Sequence, residues 1–150
     1  MENISKKITL DKPSVSIDWS LDVDACRKLL SPYNAIEDSS DEYTTFALDG
    51  VTFLGVTDLY LVLRNDINPT SLQRIELQYN VEDYEIKLQA INEAIEAAAG
   101  QKPTPSDNGV NGLMWQINDV TISTYIHASA WGEVAMLVLE KKHLRDFYSV

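Results

Sequence analysis

The chain has 150 residues, with 12 basic and 23 acidic side chains and a formal net charge of −11. That acidity opposes phosphate backbones and anionic membrane surfaces, which call for clustered Lys and Arg, so neither nucleic acid nor membrane is an expected partner. A hydrophobic fraction of 45% is ordinary for a globular chain, and this length buries roughly 68–70% of the unfolded surface, enough for a core without metal or disulfide.

Cys26 is the only cysteine, so no intrachain disulfide can form. The first residues lack the apolar run of a signal peptide, and no stretch has the 18 or so apolar residues of a membrane span. The expected location is cytoplasmic.

Residues 1–19 read as an N-terminal arm in which Val15, Ile17 and Trp19 alternate with polar residues, the two-residue period of a strand. Ser20 is a candidate cap for the first helix, with Leu21, Ala25 and Leu29 on one face and Ser31-Pro32 as its stop. Residues 37–42 read as a polar loop. A β-rich run from Tyr43 to Leu48 then meets Asp49-Gly50, a hairpin signal, with strands expected at about 51–56 and 59–64. Ile75, Leu77 and Tyr79 alternate with Arg74, Glu76 and Gln78, which predicts a half-buried strand.

From 81 to 99 the period becomes helical, because Tyr84, Leu88, Ile91, Ile95 and Ala98 form one stripe. Asn80 or Asp83 can cap its start, and Gly100 suits the left-handed residue past its end. A loop at 101–112 leads to strands at about 113–117, 120–127 and 133–139, with Asn118-Asp119 as a turn, and the basic segment 141–150 can end in a short helix.

The pattern around Phe53 to Leu77 lines up with that around Trp115 to Leu137, each copy following a helical segment. The expected fold is therefore α+β, with a first αβββ unit at 20–80 and a second at 81–140 in one domain, forming one antiparallel sheet with both helices on one face.

No motif selects a catalytic chemistry, and neither a cofactor nor a metal is implied. Cys26, His127 and His143 lack any recognised nucleophile or zinc spacing, and a helical Cys beside Leu29 and Leu30 reads as core. The glycines sit in turns and do not open a helix as a phosphate cradle does. The acids Glu37, Asp38, Asp41 and Glu42 read as a solvated run.

The informative surface is the second strand set. With Val120, Ile122, Thr124 and Ile126 buried, Thr121, Ser123, Tyr125 and His127 face the other way, and the following strand from Val134 to Leu139 is apolar on both faces. Such a face needs cover, either from the arm or the terminal Phe147 and Tyr148, or from a partner. Trp131, in the expected 128–133 loop, is a candidate interface anchor. The expectation is a non-enzymatic, acidic protein-binding module of inhibitor, immunity or adaptor type, docking through this face and loop on a basic partner, with a homodimer as a further option. Two alternatives stay open. One is an acidic secretion-type chaperone, and the other is a small-ligand domain with a pocket between sheet and helices lined by Tyr60, Tyr125 and His127.

Overall fold

The computed structural model describes residues 4–67, 71–79, 84–130 and 132–141. The first stretch holds β1 (Lys7–Thr9), β2 (Ser16–Asp18), α1 (Val23–Leu30), β3 (Ile36–Ser39), β4 (Tyr43–Phe53) and β5 (Val56–Asp66). After it come β6 (Leu72–Tyr79), α2 (Tyr84–Ala99), β7 (Thr104–Pro105), β8 (Val110–Ile117), β9 (Val120–Ser129) and β10 (Gly132–Lys141). The fold is α+β: β1 and β2 form a small ribbon, and the other eight strands form one antiparallel sheet in the order β3-β4-β5-β6-β10-β9-β8-β7.

Alternation decides which face of the sheet is dry. Leu61, Leu77 and Leu137 lie in register across β5, β6 and β10, as do Leu63, Ile75 and Leu139, and all six are fully buried. Each such side chain contributes about 1.5–3 kcal/mol on leaving water. Both helices cover this face. In α1, the Cys26 thiol donates to Asn65 Oδ1 of β5 at 3.4 Å, and in α2, Asn92 Oδ1 accepts from the Thr124 hydroxyl of β9 at 2.6 Å.

The α2 stripe buries Leu88, Ile91 and Ile95, and the helix ends at Gly100, whose φ of 67° is the left-handed conformation expected there. Asn80, Asp83 and the Tyr84 side chain lie outside the described residues, as do the C-terminal residues from 142 onward, including His143, Phe147 and Tyr148.

Several sequence expectations are corrected. The cap of α1 is Asp22, whose Oδ1 accepts from the Ala25 N–H at 2.8 Å, whereas Ser20 donates to Asp18. The helix turns Cys26 and Leu30 inward, with Leu29 only partly buried against them. Residues 36–39 are a strand, because β3 pairs along β4 and forms a fully exposed edge.

Asp49-Gly50 is not a hairpin turn. Strand β4 runs through it with a shift of register, Gly50 taking φ 69° as bulges allow. The reversal falls at Leu54-Gly55, both with positive φ, and the Gly55 N–H donates to Asp11 Oδ2 at 2.9 Å. A leucine in that position carries no hairpin signal, so the sequence pattern pointed to the neighbouring Asp-Gly.

The arm is also displaced from one of its expected places. Ile4, Ile8, Leu10, Ile17 and Trp19 join the same core cluster as Leu61 and Leu137, with the Trp19 indole donating to the Ile4 carbonyl at 3.1 Å. Met136 and Val138 do not belong to that cluster. The arm therefore fills the helix-bearing side of the sheet and does not cover the second face of β10.

Candidate functional site

The face turned away from the helices is built by the other half of each strand's alternation. Register places Tyr60, Gln78, Met136 and Tyr125 in one row across β5, β6, β10 and β9. A second row runs Val62, Glu76, Val138, Ser123 and Met114, and a third runs Arg64, Arg74, Glu140, Thr121 and Gln116. His127 lies opposite Val134 at the end of β9 and is exposed. No helix among the described residues lies on this face.

The five described site residues thus share one face: Thr121, Ser123, Tyr125 and His127 on β9, and Tyr60 three strands away on β5. Tyr60, Tyr125 and His127 do not line a pocket between sheet and helices, because their parity points them to the opposite side from Thr124 and Leu61. Trp131 lies outside the described residues. The expected 128–133 loop is largely strand, since Ser129 pairs with Gly132 and only residues 130 and 131 connect β9 to β10.

The centre of the face is apolar and little exposed. Val138 is 3% exposed and Met136 9%, while Tyr60, Val62 and Tyr125 are half-buried. Around them runs a charged network. Arg74 bonds Glu76 at 2.6 Å on its own strand and Glu140 at 2.5 Å on β10, and Gln78 donates to Glu76 at 3.2 Å. Burial alone would lower the pKa of Arg74, but Glu76 and Glu140 outweigh it and raise it. Burial raises the pKa of the Tyr125 phenol, with the nearby Arg74 acting against that shift.

Arg64 stands directly opposite Arg74, a like-charge pairing that is unfavourable between strands. Its guanidinium lies 5.5 Å over the Tyr43 ring, with Nε 3.3 Å from Asp66 Oδ1. The two arginines are thereby balanced by carboxylates, so this face is close to neutral in a chain of net charge −11. Acid is concentrated elsewhere, at Glu37, Asp38, Asp41 and Glu42 beside the β3 edge and at Glu85, Glu93 and Glu96 on α2.

One border of the face is set by a glycine. At Gly109, with φ 73°, a Cβ would lie 2.4 Å from the Ile126 carbonyl oxygen and 2.8 Å from Tyr125 Cδ2. The backbone before β8 therefore runs hard against β9, and Asn108 Nδ2 reaches Ser123 Oγ at 3.5 Å. This segment reads in sequence as plain loop punctuation, and nothing in its composition signals contact with Tyr125.

Other candidate chemistry finds little support in geometry. Cys26 is fully buried, and burial pushes its thiol up to about 11, the reverse of what an activated nucleophile needs. Among the described residues no group of three His, Cys, Asp or Glu side chains is placed to hold a metal ion, and no helix is long and apolar enough to cross a membrane. No family model, curated protein or solved structure matches this chain.

Proposed function

We propose that this chain is a small acidic protein-binding module, without catalytic chemistry of its own, that seats a partner protein on the sheet face opposite its helices. The observation that carries this reading is the row of Tyr60, Met136 and Tyr125 beside Val62 and Val138, an aromatic and apolar centre flanked by the Arg74 network on a face that bears no helix among the described residues. A desolvated aromatic centre with a polar rim is how protein interfaces concentrate binding energy. Glu76 and Glu140 on this face are paired with Arg74, and the acids of the β3 edge and of α2 lie away from its centre, so their field attracts a basic partner without placing unpaired carboxylates inside the contact. Inhibitor, immunity and adaptor roles all use such docking.

The order of helix followed by four strands occurs twice, and the strand order mirrors about the β6–β10 pairing. That symmetry supports a reading of the chain as two like units joined edge to edge. On that reading the proposed docking centre lies astride their seam, where neither unit alone supplies both tyrosines.

The test is a capture experiment with the full chain, using Tyr60→Ala/Tyr125→Ala as the face variant and Ile86→Ala on the exposed side of α2 as the control. A partner identified with wild type and then purified is expected to lose affinity by about tenfold or more with the double variant, since truncated anchors cost about 2 kcal/mol or more. Ile86→Ala leaves it unchanged. Wild-type affinity in a folded double variant rejects the face. Light scattering separates the chaperone alternative, which requires a dimer.

A further inference from the structure

A cleft lies on the opposite side of the sheet. Helix α2 carries two adjacent stripes: Leu88, Ile91 and Ile95 enter the core, while Glu85, Gln89 and Asn92, at i, i+4 and i+7, face β8 and β9 across a cleft of about 530 Å³. That volume is within the range of small-ligand sites. The floor is Leu88, Leu113 and Ile126, and the cleft borders the place where β8 breaks its pairing with β9 between Val110 and Leu113.

The polar groups are arranged with valences to spare. Thr124 donates its hydroxyl to Asn92 Oδ1 at 2.6 Å, which fixes the amide and leaves Nδ2 without a partner among the described residues. Gln89 spends its Nε2 on Glu93 at 3.2 Å and keeps Oε1 as an acceptor. The exposed Glu85 carboxylate closes one end. The nearest basic side chain of α2, Lys87, is drawn away to the Thr57 carbonyl at 2.8 Å. An apolar floor and one anion, Glu85, bordered by the neutral amides of Gln89, Asn92 and Asn111, favour an amphiphile with a cationic head over an anionic one.

We infer that this cleft binds an alkylammonium group, its aliphatic body on Leu88, Leu113 and Ile126 and its ammonium on Glu85. The group can arrive as a free amine or as a lysine side chain, and the free backbone-type valences of Asn92 and Gln89 distinguish the two. A lysine in a peptide brings an amide for them, and a simple amine does not.

The experiment follows backbone amide shifts by NMR during titration of the full chain with n-hexylamine, 1-hexanol and hexanoate, which share one chain and differ only in the head. The amine is expected to bind about fivefold tighter than the alcohol, the scale of one partly exposed ion pair. Hexanoate should stay silent, with shifts confined to α2 and residues 111–113. Glu85→Gln should bring the amine down to the alcohol's affinity without changing the melting temperature. Nα-acetyl-lysine methylamide binding tighter than hexylamine assigns the cleft to a partner's lysine, and weaker binding assigns it to a free amine. Equal response to hexanoate, shifts spread over Glu37, Asp38 and Asp41, or an unchanged amine affinity in Glu85→Gln each overturn the proposal.

Discussion

Strand β10 has two apolar faces that behave differently. Leu137 and Leu139 belong to the continuous core beneath the helices and the arm, whereas Met136 and Val138 are almost as inaccessible yet lie outside that core. Burial on one side is produced by a second layer packed on top, whereas on the other no helix among the described residues lies over the strand. A docking surface requires a face of the second kind, without a packed layer of helices on it.

The largest expected effect tests that distinction directly. Leu137→Ala is expected to cost about 3–4 kcal/mol, because a closed layer cannot collapse into the cavity. Val138→Ala should cost about 1 kcal/mol, since two methyl groups are lost where neighbours can resettle. Urea denaturation of both variants measures the gap. Equal losses would mean that the second face is packed as tightly as the first, and the docking proposal would lose its physical basis. A charged probe of the open face accordingly belongs at Val138, because Leu137→Glu reports only on the core.

The core face is sealed against ionisation, and Cys26 makes that measurable. Burial raises its thiol from an ordinary 9.0 to about 11. The unfolded chain therefore loses this proton at lower pH than the folded chain does. Below pH 9 the effect is absent, and between pH 9 and 11 stability falls with rising pH by up to about 1.4 kcal/mol per pH unit. Cys26→Ala removes this slope, so the comparison is the difference in stability between wild type and variant across that window. Parallel curves would show that water reaches the thiol and that the dry face is less dry than its burial implies.

Much of this architecture can be read from the chain itself. The period-two alternation in Leu59 to Leu63, Ile75 to Tyr79 and Val120 to Ile126 assigns both faces correctly, because one face of each strand is dry and a slip would invert it. The α2 stripe is equally plain. What escaped was governed by contacts distant in sequence. Leu54-Gly55 turns where it does because Asp11, far earlier in the chain, bonds Gly55, and the bulge at Gly50 absorbs the stronger turn signal. Ile36 to Ser39 looks like loop because an edge strand can be polar throughout. At the candidate site, the β9 residues were visible by parity alone. Met136 and Val138 are marked by the doubly apolar run of the next strand, which the β9–β10 hairpin sets beside β9, whereas Tyr60 and the Arg74 network depend on the β6–β10 pairing, which no local pattern encodes.

Among the described residues, Tyr79 is a polar fault in the dry face. Its hydroxyl is buried with no hydrogen-bond partner among the described residues, and burial raises its pKa strongly. Tyr79→Phe keeps the ring and removes the unpaired group, so it is expected to stabilise the fold by about 1 kcal/mol. A loss of stability instead would reveal an acceptor for that hydroxyl and a wetter interior.

The smallest effect belongs to the open face. Glu140→Gln removes one of the two carboxylates on Arg74, at a site where the Glu140 side chain is 49% exposed. Solvent screens such a pair, so the expected cost is about 0.5 kcal/mol, shrinking as salt is raised. Glu76, on the same strand as Arg74, remains to hold the guanidinium in place. Partner affinity should change more than stability does, because docking would strip water from the network and leave Arg74 short of one counter-charge in a drier setting. Thermal melts at low and high salt, set beside binding measured under the same conditions, decide it. A stability loss of several kcal/mol, insensitive to salt, would instead make the network a structural clamp that holds the sheet's seam together.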